Sequence, residues 1–146
     1  LNPQTGEMEE FRLPAGAKPH SVSIGPNGMA WYTGNRNATI GRFDPATKTI
    51  TEFPMPDKTA RDPHTAEFDA NGTLWFSLQG SNMIGRLDPE TGEVRLVRSP
   101  RPNSRPYGVK IAADGIIWVA WDAIAQQKAK SPNGHPQADL ARIPTQ

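Results

Sequence analysis

An all-β fold, three four-stranded blades of a partial β-propeller, is the architecture predicted by this 146-residue sequence. Three observations carry that expectation. The chain repeats itself with a period of about 43–44 residues. Each repeat holds four short apolar or mixed runs separated by turn residues, the pattern of a propeller blade. Fifteen Pro and thirteen Gly are spread along the whole length, at intervals too short for long helices.

The repeat is visible as residues. Pro19-His20-Ser21-Val22 recurs as Pro63-His64-Thr65-Ala66 and again as Pro106-Tyr107-Gly108-Val109. Asn27-Gly28, Asn71-Gly72 and Asp114-Gly115 follow, and then Trp31, Trp75 and Trp118. Ile40-Gly41-Arg42-Phe43-Asp44-Pro45 matches Ile84-Gly85-Arg86-Leu87-Asp88-Pro89. The chain is therefore read as one propeller segment with repeats over 19–61, 63–105 and 106–146. Residues 1–14 are expected to complete a preceding blade, because Leu1 to Glu7 matches the turn from Leu87 to Glu93.

Each element has a local reason. Met8 to Leu13 follows that turn and is expected to be a fourth strand. His20 to Ile24 is a first strand, ended at Pro26-Asn27-Gly28; Asn-Gly signals a type I′ hairpin, in which both central residues take positive φ. Met29 to Thr33, like Thr73 to Ser77, is apolar on both faces, as befits a strand sandwiched between sheets. The Trp of each second strand is expected to fill the space between blades. Thr39 to Phe43 is a third strand that turns through Asp44-Pro45, where Asp and Pro favour a type I turn. Thr49 to Phe53 mixes polar and apolar residues, like an outer strand. Leu140 to Ile143 matches a third strand, and the extra residues before it, roughly 124–137, read as a surface loop. Three blades are too few for a ring of the usual ~4–8, so further blades are expected from a longer chain or from self-association.

Charge and composition exclude several function classes. A net charge of +1 gives no reason to expect nucleic acid as a partner. The local basic group Arg95, Arg98, Arg101, Arg105 and Lys110 lies mostly in a Pro-rich connection and reads as a solvated loop. No run approaches the ~20 apolar residues of a membrane helix, so no membrane insertion is expected. Leu1-Asn2-Pro3-Gln4 shows no signal-peptide pattern. With no Cys there is no disulfide or thiol chemistry.

Pro19-His20-Ser21-Val22, Leu74-Trp75-Phe76-Ser77, Ile84-Gly85-Arg86-Leu87 and Glu52-Phe53-Pro54-Met55-Pro56 resemble the blade motif of the streptogramin B (virginiamycin B) lyase family. The resemblance covers roughly residues 1–121. It implies a propeller with its site at one mouth of the central channel, and a carbon–oxygen lyase that uses Mg²⁺ to open a cyclic depsipeptide. It also implies His residues at the start of adjacent innermost strands, and a Glu fourteen residues after one of them. His20 and His64 match the His positions, with Tyr107 in the third repeat, whereas the Glu positions hold Gly34, Leu78 and Trp121.

His20, His64 and Tyr107 are accordingly the expected ligand-binding residues, with His64 the candidate for catalysis, and no metal set is expected from the residues themselves. A small molecule or a cyclic peptide is the expected ligand. The competing reading is a non-catalytic binding or interaction module of a larger extracytoplasmic protein, periplasmic or extracellular. A sugar-lactone hydrolase would need several carboxylate and Asn ligands around the channel, and no such set is visible.

Overall fold

The repeat becomes three antiparallel sheets in the computed structural model, which describes residues 1–100, 102–121 and 140–143. The first sheet runs in the order β1 (Pro19–Ile24), β2 (Ala30–Gly34), β3 (Thr39–Asp44), β4 (Thr49–Pro54). The second repeats it as β5 (Pro63–Phe68), β6 (Leu74–Leu78), β7 (Met83–Leu87), β8 (Val94–Arg98). The third orders β9 (Pro106–Ile111), β10 (Ile117–Trp121), β11 (Leu140–Ile143), with Trp118 opposite Arg142. Strands β1, β5 and β9 neighbour one another across successive sheets, so they form the inner wall of a partial propeller. Among the described residues there is no helix, and hence none long and apolar enough to cross a membrane.

The inner hairpins differ from the expected type. Only the glycine of each turn takes a positive φ: Gly28 at +79°, Gly72 at +82° and Gly115 at +80°. Gly28 N–H bonds to Gly25 C=O, and Gly25 N–H to Met29 C=O, both at 2.9 Å. This is a type I turn followed by a bulged left-handed glycine. In the first hairpin Pro26 locks its own φ near −65°, which a type I′ turn cannot accept.

The core lies between sheets. Trp31 stacks on Phe53 of its own sheet at 5.5 Å and meets Phe68 of the next edge-on at 5.9 Å. Trp75 repeats the role against Val109, Val119 and Ile111. Each such aromatic removes about 150–250 Å² from water, an upper bound of roughly 4–6 kcal/mol before entropy. Within each of the first two sheets a ring lies flat on a glycine. A Cβ on Gly41 would fall inside the Tyr32 ring, and one on Gly85 inside the Phe76 ring.

Two expectations need correction. Trp118 does not fill a gap between blades: it is 39% exposed, because no further sheet covers that face among the described residues. Met8–Leu13 forms no strand. Phe11 nevertheless packs on Phe43 at 4.4 Å, and Glu9 pairs with Lys48 at 2.6 Å. In the next blade Phe53 likewise lies against Gly92, which is the repeat equivalent of Lys48. Of the basic group, Arg95 pairs with Glu93 and Lys110 with Glu67. The expected loop over 124–137 lies outside the described residues.

Candidate functional site

A recurring corner delivers the same side chain from each repeat. Lys18, Asp62 and Arg105 all take positive φ, at 42°, 64° and 47°, immediately before Pro19, Pro63 and Pro106. A left-handed conformation costs a non-glycine residue on the order of 1–2 kcal/mol, so three at one repeat position mark an imposed geometry. The carbonyls of Lys18 and Asp62 are recovered by the N–H groups of Asn35 and Gln79. Each inner strand then bulges in its first residues, where the register slips between Pro19 and Val22 and between Pro63 and Ala66.

Buried hydroxyls satisfy what the bulge leaves open. Thr33 Oγ1 accepts from Ser21 N–H at 3.0 Å and donates to the carbonyl of His64, in the next sheet, at 2.9 Å. Ser77, its repeat equivalent, accepts from Thr65 N–H at 3.2 Å and donates to the carbonyl of Tyr107 at 2.6 Å. His20 Nδ1–H adds a second bond to the His64 carbonyl at 3.2 Å, which sets its tautomer.

These contacts line three rings in a row across β1, β5 and β9. The His20 and His64 ring centres are 3.6 Å apart, and those of His64 and Tyr107 are 4.0 Å apart. His64 is 4% exposed, held between its neighbours, whereas Tyr107 is 44% exposed. The residues expected to share one end of the inner wall therefore do so. Asp62 at this corner is bonded by Asn35 Nδ2. Deeper along the wall, Ser23 donates to the Ala66 carbonyl at 2.6 Å, and Lys110 pairs with Glu67 at 2.9 Å.

The positions where the family resemblance implies a Glu are closed. A Cβ on Gly34 would collide with Asn37 Oδ1 and Thr39 Oγ1. Both of those side chains are held by Glu52 Oε1, to which Asn37 Nδ2 donates at 3.0 Å and Thr39 at 3.2 Å. Tyr32 donates to the same oxygen at 3.0 Å, and burial, then Glu52, raises its phenol above the ordinary range. Leu78 is fully buried in the core between the sheets, and Trp121 packs in the second core cluster.

Mg²⁺ does not fit these residues. It is a hard cation that takes oxygen ligands, while the row offers two imidazoles and a phenol. Among the described residues no group of three His, Cys, Asp or Glu converges on one point.

Sequence reasoning missed Thr33 and Ser77. Their shared repeat position and shared hydroxyl were the available signal, but their acceptors belong to the following sheet.

Comparison with known proteins agrees with this architecture. The virginiamycin B lyase family model matches residues 3–127. A solved streptogramin B lyase is 28% identical with a TM-score of 0.73, over 94% of this chain and 45% of that one. A catalytically inactive histidine-to-alanine variant of virginiamycin B lyase from Staphylococcus aureus, solved with quinupristin, is 26% identical with a TM-score of 0.75. That match covers 97% of this chain and 46% of the other. A gluconolactonase from Xanthomonas campestris, 18% identical with a TM-score of 0.62 over 86% of this chain and 43% of its own, shares the fold alone. No match was found among curated proteins. The chain spans less than half the length of these solved structures.

Proposed function

The chain belongs to the virginiamycin B lyase family, and from that premise we propose a ligand-binding role for it. His20, His64 and Tyr107 contact a small or cyclic organic ligand at one mouth of the channel, and these three blades do not carry out elimination by themselves. The observation that supports this reading is the row of rings, 3.6 and 4.0 Å apart, beside carboxylate positions occupied by Gly34, Leu78 and Trp121.

Elimination across an ester needs a base for the proton next to the carbonyl and an acid for the leaving oxygen. His can serve as either near neutral pH, but its tautomer and orientation have to be fixed. Here His20 Nδ1 is committed to a backbone carbonyl, and no carboxylate stands at the family position to orient a second imidazole. What the row offers is flat apolar surface with N–H and O–H edges, suited to an amphipathic ring-bearing ligand.

Titration of the purified chain with quinupristin, the ligand of the related lyase structure, tests the reading. Saturable binding is expected, weakened about tenfold or more by Tyr107→Ala and by His64→Ala, with the ligand recovered intact after incubation with Mg²⁺. A tenfold loss is about 1.4 kcal/mol, the scale of one lost contact. Mg²⁺-dependent ring opening that disappears in His64→Ala would establish a lyase instead. Absence of saturable binding would remove the ligand-binding role.

A further inference from the structure

A second opening lies at the opposite end of the sheets, beside the hairpins that close β1 and β5. It is a groove of about 520 Å³ between the first two blades, lined among others by Trp31, Phe68, Asn27, Asn71, Asp88 and Glu90. The two blades treat their equivalent tryptophans differently here. Trp75 Nε1–H donates to Asp69 Oδ2 at 2.8 Å, so the indole donor of the second blade is satisfied within its own repeat. The first blade has Gly25 where the second has Asp69. Trp31 is only 1% exposed, and among the described residues its Nε1–H makes no hydrogen bond. That nitrogen sits 3.0 Å from where a Cβ on Gly25 would lie, against the very turn that walls the groove.

We infer that this groove binds a neutral polyhydroxylated ligand, a saccharide of one or two rings, anchored by the indole N–H of Trp31. The hydrogen-bond complement selects that chemistry. The ligand has to accept from Trp31 and donate to the acidic rim. Asp88 is held anionic by the backbone N–H groups of Glu90 and Thr91, so it accepts and does not donate. A hydroxyl accepts and donates from one atom, and neighbouring hydroxyls do so in different directions. A phosphate is anionic and is repelled by Asp88 and Glu90. An ammonium group cannot accept from the indole. The Phe68 ring matches the C–H face of a sugar, and the groove has the size of a small-ligand site.

The indole N–H resonances in a ¹⁵N correlation spectrum of the full chain test this directly, with Trp31→Phe assigning the relevant peak. The probes are maltose, cellobiose and N,N′-diacetylchitobiose, with N-acetylglycinamide as the peptide-like comparison. At least one saccharide is expected to shift the Trp31 peak saturably and to leave the Trp75 peak in place. Gly25→Asp, which restores to the first blade the acceptor of the second, should weaken that saccharide at least tenfold without lowering the unfolding temperature. Should Gly25→Asp disturb the fold, Glu90→Gln on the exposed rim provides a second variant, with an expected loss of about threefold or more. His64→Ala should leave the shift unchanged, which separates this groove from the ring row at the other end. No saturable shift with any saccharide, or a shift with N-acetylglycinamide alone, overturns the inference.

Discussion

The Thr33 hydroxyl joins two sheets through one atom, accepting Ser21 N–H at 3.0 Å and donating to the His64 carbonyl at 2.9 Å. Thr33 is fully buried. Thr33→Val keeps the shape, leaves the Ser21 N–H open and removes one of the two donors to the His64 carbonyl, at an expected cost of about 1–3 kcal/mol in urea unfolding. Thr33→Ser, which keeps the oxygen, should stay within about 1 kcal/mol of the parent. Equal losses in the two variants would show that the methyl group matters rather than the bond.

Gly34→Glu is expected to destabilise the chain by about 1–3 kcal/mol, because even its Cβ has to displace Asn37 and Thr39. It should not create ring-opening activity towards quinupristin. Activity in this variant, read by chromatography of the ligand, would show that the missing carboxylate alone separates binding from chemistry.

Tyr32 should make stability fall at high pH. Its folded phenol is raised above the ordinary 10.0 by burial and by Glu52, so folding favours the protonated form. That contribution is complete below about pH 10 and is lost as pH rises beyond it, because only the unfolded chain ionises readily there. Denaturation midpoints measured across this range should decline, and Tyr32→Phe should flatten the decline. An unchanged slope in the variant would assign the alkaline loss to other groups.

The three repeat-equivalent tryptophans should not be equal. Trp31→Ala opens the packed space among Phe53, Phe68 and Ala66 and is expected to cost about 3–5 kcal/mol. Trp118→Ala removes a side chain that is 39% exposed and should cost about 1 kcal/mol or less in this chain. Similar losses, compared by urea unfolding, would mean that the Trp118 face is covered in solution.

Much of this architecture was readable because turn residues and tryptophans recur in order. Strands β1 to β4 and β6 begin within a residue of the expected places, since Pro, Asn-Gly and Asp-Pro punctuate the chain by local sterics. The failures have a common physical origin. The pattern of Met8–Leu13 is that of a strand, but a strand exists only through its ladder partner. Trp118 has the same sequence context as Trp75, and its exposure depends on a neighbouring sheet. At Asn27-Gly28 the neighbouring Pro26 decided the turn type. For the site, the alignment of His20, His64 and Tyr107 followed from repeat position, whereas the closure of Gly34 by Asn37 and Thr39 required the fold. Likewise, Gly25 in place of Asp69 looks like drift until Trp31 is seen beside it.

Among the described residues, side-chain bonds to backbone carbonyls between sheets share one direction. Ser23 reaches Ala66, Thr33 and His20 reach His64, and Ser77 reaches Tyr107, always from an earlier repeat to a later one. Such a stack has a polarity that matches the order of synthesis. The donor hydroxyls of one blade emerge from the ribosome first and remain solvated until the next inner strand arrives with its carbonyls. A blade made before its successor would therefore keep these donors in water rather than buried.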